Sequence, residues 1–278
     1  INSHLSSGEA PRALELLQPL LERPAPDERL LGLAGQVFLA NGDFEKAEDY
    51  FQRAAKVAPQ DAQARLRLGA VRMVGGDAAG ALVDFESAAE MDDSAIQADL
   101  ALVATHLRRG EIDKALEAQA QLERKQPQNP LVHNLRGGVM LAKRDLPAAR
   151  AAFEKALSLN PDYLAAAVNL ARLDLTERKV DEALARVRAI ADRNEKNIEA
   201  RMSLAELQLT TGAAPAQVLA TLERAQAAAP EALTPGLAII HHHLRNREFS
   251  KALSLAQKLG AANPNDVRVI DALARAQM

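Results

Sequence analysis

The stretch Asn41–Pro59 reads NGDFEKAEDYFQRAAKVAP and carries the pattern that decides the fold. After a short polar turn, its spacing predicts a helix with Ala47, Phe51 and Ala54 on one face. Small residues on both sides of an aromatic residue allow a neighbouring helix to approach closely and to contact the ring. Pro59 ends the helix, because proline has no N–H and its ring clashes with the preceding turn.

The same pattern returns along the chain at a constant interval of 34 residues. Its first small residue recurs at Ala47, Ala81, Ala115, Ala149 and Ala183, and at Ala252 after two periods and one residue. Prolines close the units in the same register, at Pro59, Pro127, Pro161, Pro230 and Pro264. A fixed period of this length predicts an array of stacked helix pairs.

The first half of each unit is periodic as well. A large apolar residue stands beside a small one, for example at Leu68-Gly69 and Leu170-Ala171, which predicts a first helix packed closely on the second. Glycines occupy the turn between the two helices, where a left-handed backbone has no steric cost, at Gly42, Gly76, Gly110 and Gly212. Predicted N-caps of the second helices follow at Asp43, Asp77 and Asp145.

Two departures from this pattern predict local changes in the turns. Arg144 and Arg178 stand where glycine is usual in this pattern, so these turns should be tighter or slightly strained. The unit 198–232 holds one extra residue near Ala213-Ala214-Pro215. We expect that residue in the turn between its two helices.

A 34-residue helix–turn–helix unit with these positions resembles the tetratricopeptide repeat (TPR) family. The resemblance implies an all-α fold, a right-handed superhelical solenoid of antiparallel helix pairs, with residues 1–278 forming a single array. The predicted units are a partial repeat 1–27, then 28–61, 62–95, 96–129, 130–163, 164–197, 198–232 and 233–266, and a partial repeat 267–278. The chain opens partway through a repeat and does not begin with Met, so we expect a fragment of a longer protein.

Longer runs in the C-terminal half resemble a narrower group, the bacterial TPR lipoproteins of PEP-CTERM/exosortase systems. The runs are LNPDYLAAAVNLARLDL at 159–175, PAQVLATLERAQAAAPEALTPGLAIIHHHLR at 215–245 and KALSLAQKLGAANPNDVRVIDALARAQ at 251–277. This resemblance implies a periplasmic or outer-membrane-anchored protein that takes part in exopolysaccharide export or protein sorting. The sequence itself leaves a cytoplasmic location open, and any lipid anchor would lie outside this segment.

Composition excludes several functional classes. The net charge of −3 and the absence of a lysine/arginine run argue against nucleic-acid binding. The absence of cysteine excludes disulfides, thiolate metal sites and a cysteine nucleophile. No stretch approaches the roughly 20 apolar residues that a membrane span requires. Aromatic residues make up only 3% of the chain, which argues against stacking platforms for a polysaccharide ligand.

No motif predicts catalysis, a cofactor or a metal. Phosphate loops, dinucleotide fingerprints and nucleophile elbows are absent from the sequence. The run His241-His242-His243 cannot converge on one ion, because successive helical residues point about 100° apart. In the repeat register His241 faces the groove, and His242 faces the interior. His106 and His133 lie on consecutive first helices, where we expect them to approach each other as a buried pair or a pH-sensing contact.

The remaining candidate is the concave groove, which the first helices line in the TPR family. Projecting the repeat register gives these partner-binding candidates: Leu66, Ala70, Met73, Leu100, Ala104, Leu107, Asn134, Gly138, Leu141, Val168, Arg172, Met202, Glu206, His241 and Arg245, with Arg268 beyond them. Some of the leucines could instead pack only against adjacent first helices. The positions that form a carboxylate clamp in chaperone-binding TPRs hold mostly Leu, Ala and Gly, which argues against a C-terminal acidic peptide.

These observations favour a non-catalytic scaffold that binds a protein or peptide along its concave face. The more specific version places it in a bacterial envelope complex for exopolysaccharide export or exosortase-linked protein sorting. Two alternatives stay open. The array could be a structural spacer or self-assembly module, or it could be the regulatory TPR region of a larger enzyme. The sequence does not indicate an oligomeric state.

Overall fold

The computed structural model describes residues 1–22, 26–92 and 96–277. Within these ranges the chain forms seventeen α-helices and no β-strand. The predicted all-α class is therefore confirmed.

The helices follow one another with short connections. Their bounds are α1 Asn2–Ser6, α2 Ala10–Leu21, α3 Glu28–Ala40, α4 Phe44–Val57, α5 Ala62–Gly75, α6 Ala78–Met91, α7 Ile96–Arg108, α8 Ile112–Lys125, α9 Pro130–Ala142, α10 Leu146–Leu159, α11 Leu164–Thr176, α12 Val180–Arg193, α13 Ile198–Thr210, α14 Pro215–Ala228, α15 Leu233–Arg245, α16 Phe249–Ala262 and α17 Val267–Gln277. From α3 to α16, each predicted unit holds one first helix and one second helix, and α17 occupies the partial repeat 267–278.

The extra residue of the unit 198–232 lies in its inter-helix turn. Residues 211–214 connect α13 to α14, whereas residues 41–43 connect α3 to α4 and residues 177–179 connect α11 to α12. The helices of the unit keep the lengths found in the other repeats. The insertion is absorbed by the turn, as the sequence predicts, because lengthening a helix by one residue would rotate its buried face by about 100°.

The chain divides into two compact units, residues 1–145 and residues 146–278. The division falls between α9 and α10, inside the predicted repeat 130–163. In the first unit, successive helices from α2 to α9 pack on one another, and in the second unit those from α10 to α17 do the same. The single continuous array over residues 1–278 stays a prediction.

The close approach of first and second helices depends on small residues. Phe51 of α4 is 2% exposed, and Ala47 and Ala54 beside it are buried. A Cβ atom added to Gly35 of α3 would lie 2.6 Å from the Phe51 ring, which is closer than van der Waals contact allows. The next repeat has the same arrangement, since a Cβ on Gly69 would also lie 2.6 Å from a phenylalanine ring.

Buried carboxylates join neighbouring helices through pairs of guanidinium groups. In the first unit Asp84 is 1% exposed, and its oxygens lie 2.7 Å from Arg72 Nη1 and 3.4 Å from Arg65 Nη1. Burial nevertheless raises the pKa of Asp84, because desolvation outweighs the attraction of the two guanidinium groups. In the second unit Asp174 is equally buried, at 2.7 Å from Arg150 and 2.6 Å from Arg186.

The turns use aspartate caps and left-handed residues. The side chain of Asp43 accepts a hydrogen bond from the Lys46 backbone N–H, and Asp77 accepts one from the backbone N–H three residues ahead, which confirms these two N-caps. Arg144 and Arg178 adopt φ values of 66° and 62°, the left-handed conformation that Gly42, Gly76, Gly110 and Gly212 have in their turns and that Arg247 also adopts. These turns are strained as expected, but the expectation that they are tighter is wrong, because each keeps three residues.

His106 and His133 are buried, but each is engaged by its own neighbours. The Nδ1 atom of His106 lies 2.8 Å from Glu111 Oε2, and His133 Nε2 lies 2.8 Å from the Pro127 carbonyl oxygen. Glu123 Oε1 lies 3.7 Å from the other ring nitrogen of His133. The expected contact between the two histidines is therefore wrong, because each ring is oriented by its own neighbours.

The role of the small residue can be tested with two Gly→Ala substitutions in the first unit. Gly35→Ala is expected to destabilise the protein by about 1–2 kcal/mol, because overpacking against the Phe51 ring exceeds the gain in helix propensity. Gly138→Ala is the matched control in α9. A Cβ there meets no atom within 4 Å, so the change is expected to stabilise by about 0.5–1 kcal/mol. Urea unfolding followed by circular dichroism measures both. A stabilising Gly35→Ala would contradict the packing argument.

Candidate functional site

The first helices α11, α13 and α15 of the second unit border two adjoining cavities. The larger cavity, of about 380 Å³, lies between α13 and α15 and is lined by Glu199, Met202, Ser203, Ala205, Glu206, Leu209, Leu222, Ala238, His241, His242 and Arg245. The smaller cavity, of about 190 Å³, lies between α11 and α13 and is lined by Val168, Ala171, Arg172, Leu175, Val187, Ser203, Glu206, Leu207 and Thr210. We call them the α13–α15 cavity and the α11–α13 cavity.

The two cavities share Ser203 and Glu206, which lie on α13. The two cavities therefore adjoin along α13, and together we call them the first-helix groove. The opposite faces of these helices pack into the core, so the faces that line the groove stay accessible. The groove has the dimensions of a side-chain-binding surface, since its larger cavity falls at the low end of the volumes that hold ligands in proteins.

The structure brings together the six groove residues that the sequence predicts in this unit. They are Val168, Arg172, Met202, Glu206, His241 and Arg245. Arg268, the additional candidate, lies on α17 and does not line either cavity. Its guanidinium group is held by Asp266 at 2.7 Å. Because Arg268 is already paired with Asp266, it does not contribute a free charge to the groove.

The candidates of the first unit have a different setting. None is buried, and Ala70 and Ala104 are exposed, whereas Leu66, Met73, Leu100, Leu107, Asn134, Gly138 and Leu141 are half-buried. Leu66 and Met73 pack against the core cluster around Phe85, and the Met73 sulfur accepts a hydrogen bond from Thr105. Leu107 packs against another core cluster. These contacts give three of the candidates a packing role, whether or not they also bind a partner.

Sequence projection missed six further residues that line the α13–α15 cavity on the same first helices. They are Glu199, Ser203, Ala205, Leu209, Ala238 and His242. Each lies three or four residues from a predicted groove residue on its own helix, which places it on the same face. Extending the projection by one helical turn in each direction would have found them.

The groove carries charges that have no counter-charge in the protein. Arg172, Glu199, Glu206 and Arg245 are all exposed. Among the described residues, none of these four side chains forms an ion pair. Exposed, unpaired charges at the edge of an apolar cavity are available to a binding partner.

The three consecutive histidines point in different directions, as the sequence predicts. His241 is exposed, whereas His242 is 5% exposed and His243 is 8% exposed. The Nδ1 atom of His243 lies 2.6 Å from Glu248. Across the part of the chain that the structure describes, no group of three or more His, Cys, Asp or Glu side chains could hold a metal ion.

His242 presents a buried polar atom without a partner. The Asn246 side-chain Nδ2 lies 3.1 Å from His242 Nε2 and donates a second hydrogen bond to the His242 carbonyl oxygen. Because the amide donates to Nε2, the proton of the neutral ring lies on Nδ1, which has no hydrogen-bond partner in the structure. Burial lowers the pKa of His242, and the neighbouring His243 and Arg245 lower it further, against the opposing negative charge of Glu248.

The geometry of the groove is that of a binding surface. Glu199 and Glu206 are its carboxylates, and they lie two helical turns apart, so about 10 Å of helix rise separates them. A water-exposed pair at this separation is not positioned as a coupled acid and base. Within the described residues, no helix has the length and apolar character needed to cross a membrane.

Two family models, both described as tetratricopeptide repeat, match the sequence. One matches residues 33–98 and 100–163, and the other matches residues 140–207. Together the matches cover more than half of the chain, and they include α11 and most of α13. No curated protein matches the chain.

Solved structures show the same fold. Yeast Tom70 is similar with a TM-score of 0.56 and 19% identity, over 93% of this chain and 64% of that chain. The C-terminal part of a TPR repeat-containing protein from Cytophaga hutchinsonii has a TM-score of 0.55 and 16% identity, over 98% of this chain and 97% of that chain. A chain of the APC/C hetero-tetramer Cut9–Hcn1 is similar with a TM-score of 0.51 and 19% identity. The match covers 87% of this chain but only 48% of that chain. At these identities the likeness concerns the fold alone.

The state of His242 can be measured by NMR titration of the imidazole C2 proton. Its midpoint is expected below the ordinary value of 6.5, so the ring is neutral at pH 7. Since the folded protein holds this proton less tightly than the unfolded chain, the stability that depends on His242 falls as the pH drops below about 6.5. Arg245→Gln should move the midpoint upward, because it removes a nearby positive charge.

Arg247→Gln is the matched control, since this exposed arginine is not among the groups that shift the His242 pKa. In this control variant, the titration midpoint of His242 should equal that in the unchanged protein. A midpoint above 6.5, or one that Arg245→Gln leaves in place, would contradict the electrostatic description of the site.

Proposed function

Because this chain belongs to the tetratricopeptide-repeat family, we propose that it is a non-catalytic scaffold that binds a polypeptide in the first-helix groove. TPR proteins generally mediate protein–protein interactions, and proteins with this fold are typically scaffolds without catalytic activity. The family gives the class of function. The position of the binding surface is the part of the proposal that rests on this structure.

One observation carries the choice of surface. In the second unit, apolar cavities and unpaired charges lie on the same face of α11, α13 and α15. Met202 and Leu209 supply apolar surface in the α13–α15 cavity, and Arg245 and Glu206 stand beside them. An apolar centre with charged groups at its rim is the usual composition of a protein-binding patch.

A finer proposal concerns the setting in which the scaffold works. The three C-terminal runs that resemble the lipoproteins of PEP-CTERM/exosortase systems support a role in a bacterial envelope complex for exopolysaccharide export or protein sorting. The chain would then be exported and anchored to the envelope. Antibody detection after fractionation of the source cells is expected to place the protein in the envelope fraction. Recovery in the cytosol alone would remove this setting and leave the binding proposal in place.

The binding surface can be tested with a phage-displayed library of random dodecapeptides, selected on the purified chain. Peptides enriched on the unchanged protein are expected to lose about tenfold or more in affinity on Met202→Glu, because a carboxylate would be placed in an apolar cavity. Met140→Glu is the matched control. Met140 is also half-buried on a first helix, but it lies on α9 and outside the groove.

Circular dichroism melting of both variants shows whether each remains folded. Selected peptides that bind Met202→Glu as tightly as the unchanged protein would place the binding surface elsewhere. A selection that enriches no peptide would contradict the proposal that this groove binds polypeptides.

A further inference from the structure

The unpaired charges of the first-helix groove alternate in sign from one first helix to the next. Arg172 on α11 is positive, Glu199 and Glu206 on α13 are negative, and Arg245 on α15 is positive. All four are exposed, and within the described ranges none forms an ion pair. A ligand that crosses the three helices therefore meets a positive, a negative and a positive position in turn.

Apolar surface lies between these charged positions. In the α13–α15 cavity it comes from Met202, Leu209, Leu222 and Ala238. In the α11–α13 cavity it comes from Val168, Leu175, Val187 and Leu207. The groove thus presents two apolar depressions, each flanked by charges of opposite sign.

The polar atoms of the groove favour a ligand with free backbone carbonyl groups. The Nδ1 atom of His242 is a buried donor without an acceptor, and His242 lines the α13–α15 cavity. Ser203 lines both cavities, and its hydroxyl has no hydrogen bond among the residues described. In a helical peptide the carbonyl oxygens are already bonded within the helix, whereas an extended peptide can offer them to both donors.

We propose that the first-helix groove recognises an extended peptide with the side-chain order acidic, apolar, basic, apolar, acidic. The proposal rests on the proposed function and specifies its ligand. The basic residue lies opposite Glu206, which lines both cavities, and the two acidic residues lie opposite Arg172 and Arg245. The two apolar residues occupy the two cavities.

The spacing of the pattern follows from the helix packing. Packed helices lie about 8–10 Å apart, and an extended or polyproline-like chain advances about 3.1–3.4 Å per residue. The ligand therefore passes one first helix about every three residues. A peptide such as acetyl-DLAKLAD-amide has this spacing, with charged residues at the first, fourth and seventh positions.

The test compares this peptide with its charge-reversed partner, acetyl-KLADLAK-amide, each labelled with fluorescein and titrated with the full chain at low salt. Fluorescence anisotropy is expected to show about tenfold tighter binding of DLAKLAD, because each of its charges meets an opposite one. The protein has a net charge of −3, so non-specific attraction would favour the reversed peptide instead.

A charge-swapped variant provides the second measurement. Arg172→Glu, Glu206→Arg and Arg245→Glu together reverse the three exposed positions without changing the cavity floor. The preference is expected to change to KLADLAK. Circular dichroism shows whether the variant remains folded, and binding of KLADLAK by the variant independently shows an intact groove.

The other outcomes overturn the inference in distinguishable ways. If both peptides bind equally and Met202→Glu abolishes both, the groove binds peptides and only the charge order is wrong. If neither peptide binds a protein that does enrich library peptides, the charge order is again wrong and the proposed function stands. Replacing both alanines of DLAKLAD by the helix-favouring aminoisobutyrate should weaken binding, and tighter binding would overturn the extended conformation.

Discussion

In the repeats around Phe51 and Phe85, helix packing depends on the close contact between a glycine on the first helix and an aromatic ring on the second. Gly35 leaves room for Phe51, and Gly69 does the same in the following repeat. Because a ring of this size fills the space between two backbones, the distance between first and second helices is set by this contact. Interiors packed to this density have little tolerance for an added methyl group. In the repeats that show it, one small residue on the first helix thus fixes the approach of the second.

Polar groups add specificity to this packing. Asp84 in the first unit and Asp174 in the second are each buried against two guanidinium groups from elsewhere in their unit. A buried carboxylate is stable only where such partners are correctly placed, so these groups oppose any shift of one helix against another. Three turns use a related arrangement, since His4, His106 and His243 each contact a glutamate five residues later. Such a contact connects the end of one helix to the beginning of the next.

The binding surface is a consequence of how the core is built. Core packing occupies one face of each first helix, and in the second unit the opposite faces of α11, α13 and α15 stay accessible. Residues on these faces do not hold the fold together, so their charges are free to serve recognition. His242 differs from them, because it is buried and still lines the groove with an unpartnered nitrogen. It connects the interior of the protein with the proposed site.

The sequence by itself determined the helical class and the position of the inserted residue at 211–214, because these depend on a local periodicity of burial and on turn chemistry. It also identified Val168, Met202 and His241 as residues on the accessible face, since helix geometry fixes which residues share a side. Only the tertiary structure decided which of them share a cavity, that His106 pairs with Glu111 instead of His133, and that Arg172, Glu206 and Arg245 have no partner while Arg268 has one. Those outcomes depend on distances between side chains that helix periodicity does not encode.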